Sequence, residues 1–423
     1  MKSTITAAAV LLAGAAIAAS PAVAQTNYGG QAAPQQSAAG PPASGQQQQP
    51  ANAIQPKVSR EAVKPLKDLQ AAVQANNGAD VQAKVAAANA VAKSADDKYM
   101  IGALEYKYAT AAKDDTMRSA ALEQMIASGF KGAPMAELYG DLGSTYSRLK
   151  QTQRALDAYQ HALQLDPNNV DATAAMAEAK VDAGQPAEGL ALIQKGIALQ
   201  SAGGQKAPET WYRRALQIAW KAKLPQALQI SREWIGAYPT VDTWTNALAV
   251  YQNLQSLDDA QTLDLLRLKR ATKSLAPADY FTYGDLAVRQ GYSGEAKALL
   301  DEGFAANTIK RNDPSFSQLY SLASQKSQGD KASLPMTASA SASATQLTGT
   351  GDAWFGYGDY SKAADFYRAS LAKGGDSDRN NLHLGMALAR QGDKAGAAAA
   401  LAKVTGARAE LAKFWLVYAN GKA

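Results

Sequence analysis

The stretch that most restricts this chain is Ala136–Asn169, AELYGDLGSTYSRLKQTQRALDAYQHALQLDPNN. Its apolar residues recur at helical spacing on either side of a short break, which predicts two amphipathic helices joined by a turn. Tyr139, Leu142, Gly143 and Tyr146 mark the first helix, and Ala155, Tyr159 and Ala162 the second. Gly143 and Ala155 are small where the helices must cross, so the axes can approach closely. The tyrosines fill the space beside the crossing, and Ala162 leaves room for a following helix. Pro167 ends the unit, because it lacks an N–H and its ring clashes with the preceding turn. One hairpin cannot bury its own apolar face, so the pattern demands neighbours.

Those neighbours are present. Tyr108, Ala109, Ala121 and Met125 stand 34 residues before Leu142, Gly143, Ala155 and Tyr159. Val170–Gly203 carries the same slots in Met176, Ala177, Gly184, Gly189 and Ile193. Further units are marked by Trp211, Ala215, Ala227, Trp234 and Pro239, by Trp244, Tyr251 and Ala260, and by Tyr283, Gly284, Gly291, Ala296 and Leu300. Gly351, Trp354, Gly358, Ala363 and Tyr367 resume the pattern, and it returns 34 residues later in Gly385, Leu388, Gly392, Ala397 and Leu401. Arg408–Ala419 reads as one last helix without a partner, as a terminal cap would be. Nearer the start, Ser59–Ala75 and Ala79–Lys93 are helical by period. Asp96-Asp97 and Asp114-Asp115 read as helix N-caps.

This spacing resembles the tetratricopeptide repeat, W-x₂-L-G-x₂-Y…A-x₃-F…P, with tyrosine in the tryptophan and phenylalanine slots. The resemblance covers most of residues 60–423. It implies an all-α fold, a right-handed superhelical solenoid of helix-turn-helix repeats whose first helices line a concave groove. It also implies a scaffold or adaptor that binds a protein or peptide segment there.

The ends and interruptions differ in composition. Met1–Ala24 has Lys2, an apolar run from about Thr6 to Ala19 and an Ala22-Val23-Ala24 exit, the layout of a cleavable secretory signal peptide. Residues 25–58 are rich in Gln, Pro and Ala and too poor in large apolar side chains to offset the entropy of ordering, so a disordered tail is expected. As a flexible coil it would span roughly 30 Å. The repeat array proper is expected over 59–328. Residues 329–343, rich in Ala and Ser, read as a linker or a degraded repeat, and the ASASASA portion could instead extend the next helix. Residues 344–423 are then a C-terminal repeat pair with its cap. The chain has no cysteine, which excludes disulfides, thiolate metal sites and a lipidated cysteine. An exported, cysteine-free chain of bacterial character points to the periplasm.

Chemistry is sparse. The net charge of +6 is spread among interspersed residues of both signs, with no basic stripe interleaved with aromatics, so nucleic acid is not an expected partner. No stretch after the leader is long and apolar enough to cross a bilayer, and the sequence does not speak to oligomeric state. The two histidines, His161 and His383, have no second ligand at metal spacing and read as structural or solvated. Ser147–Lys150 fits S-x-x-K but lacks the companion motifs of penicillin-recognising enzymes. Gly349–Gly358 is glycine-rich, yet Trp354 stands where a phosphate cradle needs its third glycine. No catalytic, metal or cofactor residues are therefore expected, and the chain reads as a non-enzyme.

The resemblance places the groove on first-helix positions beside the packing slots, here Tyr212, Leu216 and Trp220 in one unit and Phe281, Asp285 and Arg289 in another. Family members that clamp a peptide's terminal carboxylate use lysine and asparagine at such slots; here Gly140, Ala174, Tyr212, Thr245 and Phe281 stand where the leading clamp residue would be, which speaks against carboxylate capture. The aromatics either bury an apolar partner segment or pack against a neighbouring turn. The function expected first is a non-catalytic periplasmic scaffold of envelope assembly. The alternative is an accessory protein of polysaccharide export or uptake that binds glycan.

Overall fold

A computed structural model describes residues 54–421; the signal-peptide reading and most of the tail reading lie outside them. Among the described residues there are 21 helices and no strand. The chain divides after Ala207 into two compact units, each with its own core.

The first unit is four hairpins in sequence: α1 (Val63–Gln74) with α2 (Gly78–Val91), α3 (Ala95–Ala112) with α4 (Asp115–Ala127), α5 (Met135–Arg148) with α6 (Thr152–Leu165), and α7 (Val170–Asp182) with α8 (Pro186–Ala202). Each helix packs on the next, and α1 meets α3 as α5 meets α7. Leu66, Leu69, Val81, Ile101 and Leu104 form one core, and Leu122, Met125, Leu138, Leu142, Tyr146 and Tyr159 form the next.

The turns repeat for a local reason. Lys113, Lys150 and Gly184 end their first helices in the left-handed region. The following N–H then reaches back to the fifth preceding carbonyl, Asp114 to Ala109, Gln151 to Tyr146 and Gln185 to Lys180, each at 2.9 Å. This is the Schellman closure, which satisfies carbonyls that a helix end would otherwise orphan.

Asp114 caps α4 as expected, accepting the Met117 N–H. Asp96-Asp97 does not cap α3. Ser94 is the N-cap, and Asp97 is the third residue of a reciprocal capping box. Asp97 is buried and also takes the Ser59 N–H at 2.7 Å, tying the entering chain to α3. The backbone here needed a carboxylate deep enough to serve two segments, which a cap position would not allow.

The second unit begins with hairpins α9 (Glu209–Lys221) with α10 (Ala227–Ala237), α11 (Val241–Leu254) with α12 (Asp259–Ala271), and α13 (Pro277–Arg289) with α14 (Ser293–Ala305). Then come α15 (Pro314–Lys326), the single turn α16 (Asp330–Ser333), α17 (Ala344–Gly356) with α18 (Tyr360–Ala372), α19 (Ser377–Gln391) with α20 (Lys394–Leu401), and α21 (Ala409–Gly421). Around α16 the chain lies on its successors. Trp354 Nε1 donates to the Pro335 carbonyl at 2.9 Å, Tyr357 to Asp330 at 3.0 Å, and Lys373 Nζ to the Ala340 carbonyl at 2.6 Å. Ser343 caps α17 in a capping box with Gln346, so ASASASA does not extend that helix.

Among the described residues α21 follows the α19–α20 hairpin without a hairpin partner of its own. α21 packs on α19, α20 and α10. Phe414 meets Tyr251 of α11 edge-on with ring centroids 5.7 Å apart, and Arg232 of α10 pairs with Glu410 at 2.5 Å. One core runs from Leu228, Ile235, Trp244, Leu248 and Leu268 into Leu347, Trp354, Phe366, Leu382 and Trp415. In a solenoid each repeat touches only its neighbours. In this unit the C-terminal helices α17–α21 turn back onto α10–α12, and Leu411, Phe414 and Trp415 of α21 are buried in the shared core.

Candidate protein-binding surface and a buried charge cluster

In the α5–α6 hairpin, Leu138, Leu142, Tyr146, Ala155, Tyr159 and Ala162 are all buried. A Cβ on Gly143 would lie 2.6 Å from the Tyr159 ring, which is why the crossing demands glycine. The same sixteen-residue relation recurs in the second unit: a Cβ on Gly351 would come 2.7 Å from Tyr367, and one on Gly385 2.5 Å from Leu401. Tyr139 instead stacks on exposed His161 at 4.9 Å. Pro167 follows the end of α6, and Asn169 caps α7.

A sequence profile of the tetratricopeptide repeat matches residues 136–169, the hairpin just described. Residues 136–169 are a tetratricopeptide repeat, set in an all-helical array of hairpins. Proteins of this repeat generally act as scaffolds that bind protein or peptide partners, and the fold is typically non-catalytic. No curated protein matches this repeat protein in sequence. Solved structures similar to it include that of pilF from Pseudomonas aeruginosa, 11% identical, covering 62% of this chain and 97% of that one with a TM-score of 0.29. A tetratricopeptide-repeat protein from Parabacteroides merdae is 14% identical, with coverage of 69% and 99% and a TM-score of 0.28. The TPR2AB domain of yeast Sti1 in complex with pHSP90 is 13% identical, with coverage of 68% and 98% and a TM-score of 0.24.

The six first-helix residues singled out from the repeat register have different fates. Tyr212 and Leu216 are buried, Tyr212 edge-on to Tyr238 at 6.0 Å. Trp220 is 45% exposed and Phe281 42% exposed. Among the described residues every other Trp, Phe and Tyr is buried or half-buried. Phe281 meets half-buried Phe316 edge-on at 6.1 Å, joining the consecutive first helices α13 and α15. Arg289 is occupied, bonded to Asp285 and to Asp259 at 2.9 Å each. Arg148 does the same for the repeat protein's first unit, pairing with Asp115 at 2.7 Å. In both cases an arginine in a helix's last turn meets an aspartate opening the preceding helix, where both helix dipoles favour the charge.

Repeat logic did not reveal the other concentration of polar side chains. Asp264 and Arg267 of α12, Glu295 of α14, Asp352 of α17 and His383 of α19 are all buried. Arg267 grips Glu295 with two hydrogen bonds of 3.0 and 2.7 Å and stands 3.6 Å from Asp264 and 3.9 Å from Asp352. Asp352 accepts from Tyr292, Tyr367 and Arg379 at 2.7–2.8 Å. Tyr283 donates to Glu295, and Arg408 to Asp264 at 3.1 Å. Between the two aspartates sits His383, Nε2 2.8 Å from Asp264 and Nδ1 2.7 Å from Asp352, the latter out of line for a hydrogen bond.

Burial alone would raise both aspartates, but His383, Arg267 and the outer arginines outweigh it and hold them below the usual carboxylate range. Burial likewise pulls His383 down, and the two carboxylates more than reverse it, so its value is raised. The cluster is sealed and nearly every charge in it is paired, so its chemistry is cross-bracing, not access to a substrate. The sequence held one signal for it. Asp264 and Arg267 interrupt a run of leucines, Leu263, Leu265, Leu266 and Leu268, all four of them buried.

Proposed function

We propose that this protein is a non-catalytic scaffold of the periplasm that docks an apolar protein segment on first-helix surface of its second unit, serving cell-envelope assembly. The observation that carries the reading is the exposure of Trp220 and Phe281. Both occupy first-helix positions where repeat proteins of this kind meet their partners, and they are the exposed aromatics among the described residues. Large aromatics are the usual anchors of such surfaces, since they bury much area at little rotamer cost. The leader-like Met1–Ala24 and the lack of cysteine support export. Among the described residues no helix is long and apolar enough to cross a membrane, and no group of His, Asp and Glu could hold a metal.

The test is crosslinking in cells from a photoreactive residue at position 281, with fractionation of the same cultures. The reading expects one envelope protein captured, and its loss on combining Trp220→Ala with Phe281→Ala while helicity is unchanged. Recovery of the chain in the cytosol would refute the location. A glycan titration that quenches tryptophan emission, with no protein captured, would refute the partner class.

A further inference from the structure

His383 sits between two buried carboxylates, a setting whose charge favours one protonation state. A neutral imidazole carries one N–H and one lone pair. At 2.8 Å from Asp264 and 2.7 Å from Asp352, a neutral ring would direct its lone pair at a carboxylate oxygen. The imidazolium donates Nε2–H to Asp264 and sets its positive charge 2.7 Å from Asp352, close enough for an ion pair though out of line for a hydrogen bond. The two carboxylates belong to α12 and α17, so the ring is one link by which α19 holds those helices together, beside Arg379 on Asp352. These contacts lie 119 residues apart in the case of Asp264 and His383. They join the returning helices to the start of the unit, at the same seam where Arg408 reaches Asp264.

We propose that His383 is a protonation latch: as imidazolium it clamps α12 and α17 to α19, and loss of its proton as pH rises loosens α17–α21 from α10–α12. The groups that face it come from every helix packed there. They are Asp264 and Arg267 from α12, Asp352 from α17, Tyr367 from α18 with its ring 5.5 Å away, and Arg379 from α19 itself. Behind them stand Tyr283, Tyr292 and Glu295 at α13 and α14, Tyr251 on α11, and Arg408 before α21. The three arginines balance the three carboxylates, and each arginine keeps its proton throughout any physiological range. The tyrosines are pushed further from neutrality. His383 is therefore the group that changes charge near neutral pH. The sign follows from its raised value. The contribution is complete below the ordinary histidine value of 6.5 and is lost as pH climbs through the folded-state value.

The full chain carries two histidines, so imidazole ¹³C resonances are few, and His161→Gln identifies the one from His383. That resonance is expected to report imidazolium at pH 7. Over pH 6 to 9, amide exchange in α17–α21, corrected for the intrinsic rate, is expected to show an opening constant rising by up to tenfold per pH unit, the limit for one linked proton. Peptides of the first unit serve as the flat control. In His383→Gln the α17–α21 profile should lose its pH dependence. A pH-dependent profile that persists in His383→Gln would overturn the proposal. Should that variant fail to fold, the wild type decides: a neutral His383 at pH 6, or flat exchange across its titration, overturns the latch.

Discussion

The two units solve the same packing problem with opposite uses of charge. In the first, hairpins touch sequence neighbours, and the buried acid Asp97 serves backbone: it accepts from Ser59, Lys93 and Ser94 and so fixes where the chain enters α3. In the second, buried acids serve side chains on helices far apart in sequence, through Arg267, His383 and Arg408. A carboxylate on backbone amides constrains one local turn. A carboxylate on arginine and histidine constrains how whole helices return on one another. Buried ion clusters are a weak source of net stability, but breaking one by removing a partner is costly. The second unit is thus specified by its charges more than it is stabilised by them.

All six tryptophans lie at or beyond Trp211, in the second unit, so tryptophan emission reports that unit, and tyrosine with helical signal reports both. The largest effect is expected from Arg267→Met, which leaves Glu295, Asp264 and Asp352 buried beside a shortfall of positive charge. A loss of about 3–5 kcal/mol is expected for the tryptophan-reported transition in urea. No change is expected in amide exchange of α1–α8. Destabilisation spread evenly over both units would break the comparison.

Asp97→Ala is the mirror experiment. It unpairs three backbone N–H groups and removes the capping box, so a loss of about 2 kcal/mol is expected in the first unit. The same group gives a pH signature. Backbone hydrogen bonds, outweighing burial, hold Asp97 down at about 2, against an ordinary 3.8. A depressed carboxylate contributes stability that is present above its unfolded value and lost as pH falls through the folded one. Acid should therefore loosen exchange in α1–α4 between about pH 4 and pH 2, and Asp97→Asn should abolish that dependence.

How far the fold was legible follows from these contrasts. Gly143 with Tyr159 and Gly351 with Tyr367 are local relations at a fixed spacing, so the hairpins could be read off the chain. Contacts such as Asp264 with His383 have no local signature, because nothing in the residues between them sets the return of α17–α21. The site was legible only in part for a related reason. Tyr212 and Phe281 occupy the same repeat position and each meets one aromatic ring edge-on, yet Tyr212 is buried and Phe281 exposed. Register tells which way a position points; exposure depends on what the neighbouring repeat places opposite it.

Smaller effects should come from adding a methyl at equivalent crossings. Gly143→Ala and Gly351→Ala each gain about 1 kcal/mol of helix propensity but force a ring to shift from under 3 Å, costing about 1–3 kcal/mol. A net loss near 1 kcal/mol is expected, read by exchange in the first unit for Gly143 and by tryptophan emission in the second for Gly351. Equal losses would show that the hairpin is the common element of both units. A larger loss at Gly351 would show that the ring it displaces, Tyr367, passes the strain to Asp352, to which it donates at 2.8 Å.

The smallest stability effect separates function from architecture. Trp220→Ala and Phe281→Ala each remove a side chain with over two-fifths of its surface already in water, so unfolding free energies in urea should fall by no more than about 1 kcal/mol. Trp220→Ala leaves five tryptophans to report the transition. If either substitution instead cost as much as a core truncation, about 3–5 kcal/mol, the side chain would be packing within the unit. It would then be no more available to a partner than Tyr212. Near-neutral stability combined with loss of the crosslinked partner would mark these two aromatics as surface kept exposed for binding.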